Sequence, residues 1–475
     1  MTTHSTFIKA LGLWDVIFMN VVAVVGLRWI ARGARAGPES VVLWVLACLA
    51  FFVPLAAAVA ELSSRYPEQG GMYVWVRKAF GLGHGFICGW CLWVNNLFYF
   101  PSVMLFAAAN AAAIGGDRWA WLSASRWYSV TVVLAGIWIA AGVNILGLRI
   151  GKWLQNAGAI GLWVPAALLI ACGAAAMARF GSATTFSAST MMPHEQALDT
   201  LGLWSAMCFA FSGFEITSLV GQEIRQPRRT IPMGVLIAGV VTTIIYIAGS
   251  ASVLVAVPGS SLKELSGITD AVQLVAGRVG LTGLGALTGA LLALNGLAGT
   301  ASWTAGAARV PFAAGVDNVL PAAFARLHPR YRTPHVALIV QSIAASAIFL
   351  SSVFVVVAGR TTSIQEAYDI LVNLTILIYF VPYLYLFASL IRLRRDAGVP
   401  GPDDIRIPGG TVGLWTIALT GFTATAIALG LTFVPPPGTD TVTYEANLIV
   451  QATVMIGLGI ALYRMKRATW RSAQS

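Results

Sequence analysis

Charge is what this sequence has least of. Only 10% of its 475 residues are Asp, Glu, Lys or Arg, against the roughly 25% usual in soluble domains, while 57% are hydrophobic. So few polar side chains cannot cover a water-exposed surface on a chain of this length, and a lipid bilayer is the solvent that fits. Histidine and cysteine are also scarce, at five each. The histidines at 4, 84, 194, 328 and 335 show no metal-ligand spacing such as HExxH, so neither metal nor cofactor is expected. There is no Gly-x-Ser-x-Gly nucleophile turn and no Walker A motif, which argues against an enzyme and against an ATP-driven pump. Cys88 and Cys91 have the CxxC spacing of redox proteins. They lie inside an apolar run rather than at a helix N-terminus beside a βαβ core, so they are read as packing residues. No soluble domain fits between the apolar runs, and no small-residue cleavage site follows the start MTTHSTFIKALGLWDVIF.

What the sequence has is apolar runs of about 20 residues, the length that crosses a bilayer as a helix. They fall at 14–32, 40–62, 83–110, 127–147, 152–177, 201–220, 233–257, 276–305, 334–357, 366–390, 413–433 and 447–465. Twelve transmembrane helices are therefore expected, in an all-α membrane protein. The net charge of +11 sits in the short connections between runs, with no basic stripe interleaved with aromatics, so no nucleic-acid partner is expected. With both termini on the cytoplasmic side, 21 of the 30 Lys and Arg fall inside. This is the bias the positive-inside rule describes, and it places the protein in the cell membrane with an even number of spans.

Two of the runs are interrupted. The first reads "MNVVAVVGLRWIARGARAGP", with Gly26 followed at once by Arg28. The sixth reads "LWSAMCFAFSGFEITSLVGQE", with Ser212-Gly213 followed by Glu215. A break near the midplane frees backbone N–H and C=O groups that lipid cannot satisfy, so they must face a cavity or a ligand. An exposed half-helix N-terminus also attracts a carboxylate. Matched breaks in the two halves of a chain point to a transporter built from inverted repeats. The bland alternative, glycine serving only close helix packing, weakens when both breaks carry an adjacent charge.

Three stretches together resemble the amino acid–polyamine–organocation (APC) transporter superfamily. They are "AELSSRYPEQGGMYVWVRKAFG" (60–81), "FAFSGFEITSLVGQEIRQPRRTIPMGV" (209–235) and "ARVPFAAGVDNVLPAAFARLHPRYRTPHVALIVQ" (308–341). The resemblance implies a five-plus-five inverted repeat with broken spans 1 and 6. Residues 1–178 would form the first repeat and 179–395 the second, with two accessory helices and a tail in 396–475. Its implied activity is secondary active transport of amino acids or close derivatives by alternating access. A polyamine or amine transporter of the same fold, or a transporter-like sensor, stands as the alternative. Carried over by position, the substrate carboxylate would meet amides around Val25 and Gly26, and its amino group carbonyls near Phe209 and Phe211. Ser212 and Gly213 form the break, Phe209 matches the aromatic gate, and Trp303 and Asn96 match site positions of spans 8 and 3. Two departures stand out. The usual Gly-x-Gly of span 1 is Gly26-Leu27-Arg28 here, and span 5 has no lysine between 153 and 170. "FFVPLAAAVAEL", "GGMYVWV" and Pro101 look nearest to the glutamate/GABA antiporter branch.

The charged residues inside spans complete the expectation, because each costs several kcal/mol unless a cavity or partner receives it. Glu215 is a candidate proton carrier, or else a cap on the second half of span 6. Arg28, Arg32 and Arg35 share one face of span 1. They either line a hydrated vestibule or, in the case of Arg28, receive an acidic substrate. Glu61 should cap span 2 or pair with a loop arginine, and Glu366 and Asp369 should serve the first-turn dipole of span 10. Asn95 and Asn96 should hydrogen-bond between helices. The expected partners are a small amino acid, membrane lipid and, through Glu215, protons.

Overall fold

Among the described residues of the computed structural model, ten helices are long and apolar enough to cross a bilayer, and a bent pair makes an eleventh candidate. The structure describes residues 11–66, 70–192, 197–215, 218, 224–311, 320–354, 356–357, 360–361, 363–395, 404–436 and 440–472. Span 1 is the bent pair, Leu13–Val24 and Leu27–Ala34, turned by 48° at Val25-Gly26. Span 2 is Gly37–Arg65, span 3 Leu82–Ala113, span 4 Arg126–Leu146 and span 5 Leu148–Phe180. Span 6 is described over Ala197–Ala210 and its break, and most of its second half (216–217 and 219–223) lies outside the described residues. Span 7 is Pro227–Ala256, span 8 Leu284–Ala307, span 9 His335–Phe354 and span 10 Ile364–Arg395. Span 11, Gly410–Leu431, and span 12, Thr441–Ser472, close the series. The protein is thus an all-helical multi-span membrane protein. A two-residue β pairing, Val356–Val357 with Arg360–Thr361, is the one strand feature among the described residues.

Burial follows position in the bundle. Span 3 runs through the centre, against spans 4, 8, 9, 10 and 12, and its apolar window is 89% buried. The window of span 12 is only 17% buried, because Ile449, Val450 and Val454 turn outward where lipid is the solvent. Span 2 carries a π-helical turn at Cys48–Phe52 just before Pro54. Such turns shift the side-chain register by one residue. The two rings that end the turn point toward spans 6 and 10. Phe51 meets Phe380 and Tyr383, and Phe52 meets Phe211 and Phe214.

Several local expectations about the loops can be placed. Gly70 and Gly71 restart the chain at φ 124° and 50°, the region glycine enters freely, ahead of the helix Met72–Phe80. Glu61 accepts from Arg394 Nη1 at 2.8 Å and from the Ile407 amide at 2.9 Å. Its partner is thus an arginine beyond the expected end of span 10, which the structure holds in the last turn of that helix. Glu366 bonds the Ser363 amide at 2.8 Å, as a first-turn acid does. Asp369 does not. It is buried and takes Arg32 Nη1 at 3.0 Å, because one turn further in it faces the arginine face of span 1 instead of water.

Candidate functional site

The break in span 1 arises where Val25 and Gly26 leave the helical region, at φ/ψ of −66°/108° and −114°/111°. At Gly26 an added Cβ would stand 2.8 Å from the Trp29 indole, so glycine lets that ring fold back over the break. In span 6 the helix ends at Ala210. Ser212 then turns the chain by giving both its amide and its hydroxyl to the Phe209 carbonyl, at 2.8 and 2.6 Å. Gly213 follows at φ 103°, a conformation that favours glycine, with its Cβ direction 3.4 Å from Val24. The two breaks therefore touch each other.

A small cavity opens at this junction. Span 1 contributes Ala23, Val24 and Trp29, and span 3 contributes Asn95, Asn96 and Tyr99. Phe209 and Ser212 come from span 6, Trp303 from span 8 and Tyr379 from span 10. The walls are mostly aromatic. Phe209 lies edge-on to Trp29 at 5.2 Å and to Tyr379 at 5.5 Å, and Tyr99 meets Trp303 at 5.8 Å. A few polar atoms among apolar rings is the composition of a small-molecule site.

Of the residues expected from sequence, Asn96, Phe209, Ser212 and Trp303 line the cavity together. Val25, Gly26, Arg28, Phe211 and Gly213 do not. The Val25 amide stays in the helix, bonded to the Val21 carbonyl at 2.9 Å, and the Gly26 amide is taken by the Tyr246 hydroxyl at 3.2 Å. The expected carboxylate cradle is thus filled from within the protein. Phe211 is wholly buried against Trp44, Phe52 and Tyr246, away from the cavity. Among the described residues Asn95 and Asn96 make no hydrogen bond between helices; each donates to the Leu92 carbonyl one turn back, at 2.7 Å. That local bond satisfies a donor cheaply inside a span and leaves the amide oxygens for other use.

Three tyrosines that the sequence reading passed over tie the breaks to distant spans. The Tyr246 hydroxyl, on span 7, accepts from Gly26 and lies 3.0 Å from the carbonyl oxygens of both Val24 and Ala210. One hydroxyl thereby bridges the last carbonyls of both broken half-helices, groups that would otherwise be orphaned in lipid. Trp44 stacks on its ring at 4.5 Å and anchors to Ser250 Oγ at 2.9 Å. On span 10, Tyr379 donates to Glu215 Oε1 at 2.7 Å and Tyr383 donates to Oε2 at 2.8 Å. The Gly213 amide bonds both Tyr383 Oη, at 2.9 Å, and Glu215 Oε2, at 3.2 Å. Glu215 is buried and caps the break, so the capping half of its expected role is present as geometry. The only advance signal for the tyrosine pair was their spacing of four on one face of span 10.

Away from the cavity along span 1, Arg32 Nη1 contacts Glu264 at 2.6 Å and Asp369 at 3.0 Å, and Arg35 contacts the other Glu264 oxygen at 2.7 Å. Asn373 accepts from Arg32 Nη2 at 3.3 Å and itself donates to Tyr444 of span 12. This buried network joins spans 1, 10 and 12 to the connection between spans 7 and 8. Among the described residues no group of three or more His, Cys, Asp or Glu could hold a metal ion.

Residues 11–459 match the model of the family described as amino acid permease. The chain belongs to this family. It is accordingly a member of the APC superfamily and a multi-pass membrane protein. Over 429 residues it is 29% identical to an uncharacterized transporter of Legionella pneumophila, covering 90% of each chain. It is 23% identical to a probable agmatine/putrescine antiporter of Lactococcus lactis, over 82% of each. A glutamate/gamma-aminobutyrate antiporter of the same organism is 22% identical, over 89% of this chain and 84% of the relative. These matches do not single out the glutamate/GABA branch within the amino acid permeases.

Proposed function

We propose that this amino acid permease family member is a secondary active transporter that moves amino acids or close derivatives across the cytoplasmic membrane by alternating access. The observation that carries the reading is the meeting of two broken spans at a cavity walled by Asn96, Phe209, Ser212 and Trp303. Leu27 and Arg28 open the second half of span 1, so their amides lack intrahelical acceptors and face the positive end of a half-helix. We assign the substrate carboxylate to the start of this half-helix, which lies between the cavity residues Val24 and Trp29 although Leu27 and Arg28 do not themselves line the cavity. The Ser212 side and the Asn95 and Asn96 amide oxygens would take the amino group.

Residues 1–178 and 179–395 act as the two repeats, and 396–475 supply the accessory spans. With both termini cytoplasmic, the ion-pair network of Arg32, Arg35, Glu264 and Asp369 lies on the outer side of the cavity and holds that side shut. Glu215 serves the inner side. Its carboxylate accepts from two tyrosines and a backbone amide. Adding a proton would turn one oxygen into a donor facing another donor, so protonation loosens the tie between spans 6 and 10. Protons are therefore the proposed coupling ion.

A polyamine substrate is the weaker alternative, although one relative is named for agmatine and putrescine. A cationic ligand would need cavity carboxylates. Glu215 is already engaged, and a buried arginine stands behind Trp29. Thermal unfolding of the purified protein against a panel of amino acids and amines, at two pH values, tests the reading. Amino acids should raise the midpoint more than diamines do. A shift by diamines alone would transfer the site to amines, and no shift by any compound would favour a sensor that does not carry these substrates.

A further inference from the structure

Arg28 has no carboxylate partner among the described residues, although only 4% of it is exposed. Its Nη1 donates to Ser102 Oγ at 2.9 Å, and its Nη2 is buried with no hydrogen-bond partner. The guanidinium lies 4.2 Å from the centre of the Trp29 ring and 4.7 Å from that of Tyr99. Both rings are cavity walls, so the charge sits one ring's thickness behind the cavity. A buried guanidinium without a counter-charge is costly, and ring contacts offset only part of that cost.

Two more buried groups lacking partners belong to the same region. Arg32 Nε, one turn along the same face as Arg28, has none, and neither does the Tyr368 hydroxyl of span 10. Tyr368 is fully buried and directly precedes Asp369, which Arg32 contacts. Among the described residues Arg32 and Arg35 share Glu264, and Arg32 also holds Asp369, while no carboxylate contacts Arg28. Unpaired donors and an unmatched positive charge are the complement of one carboxylate.

We propose that Arg28, with Tyr368 and Arg32 Nε beside it, is a specificity site for the side-chain carboxylate of an acidic amino acid. The inference rests on the transport reading and names its substrate class. With the α-carboxylate at the start of the second half of span 1, the side chain of glutamate or aspartate extends past Trp29. Turning of that ring admits it to Arg28 Nη2. A neutral amino acid leaves the guanidinium unmatched and so binds more weakly.

The test is binding and exchange of L-glutamate, L-aspartate and L-serine by the full chain in liposomes. The wild type should prefer the acidic pair. In Arg28→Met, which keeps length but loses charge, the glutamate-to-serine affinity ratio should fall about 100-fold. Tyr368→Phe should lower the same ratio about fivefold, and it serves where Arg28→Met does not fold. A purely structural Arg28 would lower all three substrates equally, and an unchanged ratio in either variant overturns the proposal. Serine exchange without any glutamate or aspartate binding overturns it too, while leaving the transport reading in place. Failure to bind any amino acid removes both. Unfolding in chloride against gluconate separates the other source of negative charge. Stabilisation by chloride that Arg28→Met abolishes, with no preference for acidic substrates, would give the site to an inorganic anion and overturn the assignment.

Discussion

Glu264→Ala is expected to destabilise the protein by about 3–5 kcal/mol, the cost of leaving a buried charge without its partner. Glu264 is the shared acceptor of Arg32 at 2.6 Å and Arg35 at 2.7 Å, and it is 3% exposed. Arg32 would keep only Asp369 and Asn373, and its charge has no route to water. Surface ion pairs are worth far less, about 0–1 kcal/mol, so burial sets the size of the effect. Asp369→Ala should act on the same partner. The double variant should therefore differ clearly from the sum of the singles, as contacting groups do. Thermal unfolding in detergent and in lipid measures both. Because the network is assigned to the closed outer side, cysteine labelling from outside should also rise at span 10 positions in the variant. A stability loss within about 0.5 kcal/mol, the range of inconsequential surface changes, would mean the network does not hold that side.

Glu215 carries the second large effect. Glu215→Ala removes the acceptor of Tyr379, Tyr383 and Gly213 in one step. Hydrogen bonds to a charged group contribute about 1.5–3 kcal/mol each, so a loss of several kcal/mol and of transport is expected. Glu215→Gln separates structure from proton handling. Its amide oxygen accepts from one tyrosine, and the other hydroxyl must rotate to accept from the NH2 group. The fold should survive, with a loss of about 1–2 kcal/mol. Uptake by the Gln variant, followed across pH 5–8, should lose its pH dependence if Glu215 carries the coupling proton. The same pH slope at normal rate would confine Glu215 to capping the break.

How far the sequence reveals this architecture depends on which groups advertise themselves locally. Apolar runs and their interruptions do, because lipid tolerates nothing else. Gly26 and Ser212-Gly213 therefore mark the broken spans without any structure, and Phe209, Ser212, Asn96 and Trp303 line one cavity. Partners from distant spans do not advertise themselves. Tyr246 meets Gly26 from 220 residues away, and Tyr379 and Tyr383 meet Glu215 from 164 and 168 away. Inside apolar runs a tyrosine looks like another core ring, and only its hydroxyl, which has no sequence signature, makes the bridge. The hydroxyl that takes the Gly26 amide likewise comes from a distant span, span 7, and no local pattern announces it. Arg28 was recognised as anomalous, yet its place behind Trp29 and Tyr99 follows from the fold-back permitted at Gly26. In the sequence alone Asp369 reads as a dipole partner, because its distance from Arg32, 337 residues along the chain, hides their contact.

Counterflow in proteoliposomes tests most directly whether the junction of the two breaks is a carrier site. Labelled amino acid is supplied outside at low concentration, with or without excess unlabelled amino acid inside, for the wild type and for Phe209→Ala. The account predicts uptake accelerated by the internal substrate in the wild type, and loss of that acceleration when Phe209 is removed from between Trp29 and Tyr379. Uptake indifferent to internal substrate, or acceleration that persists unchanged without Phe209, would contradict it.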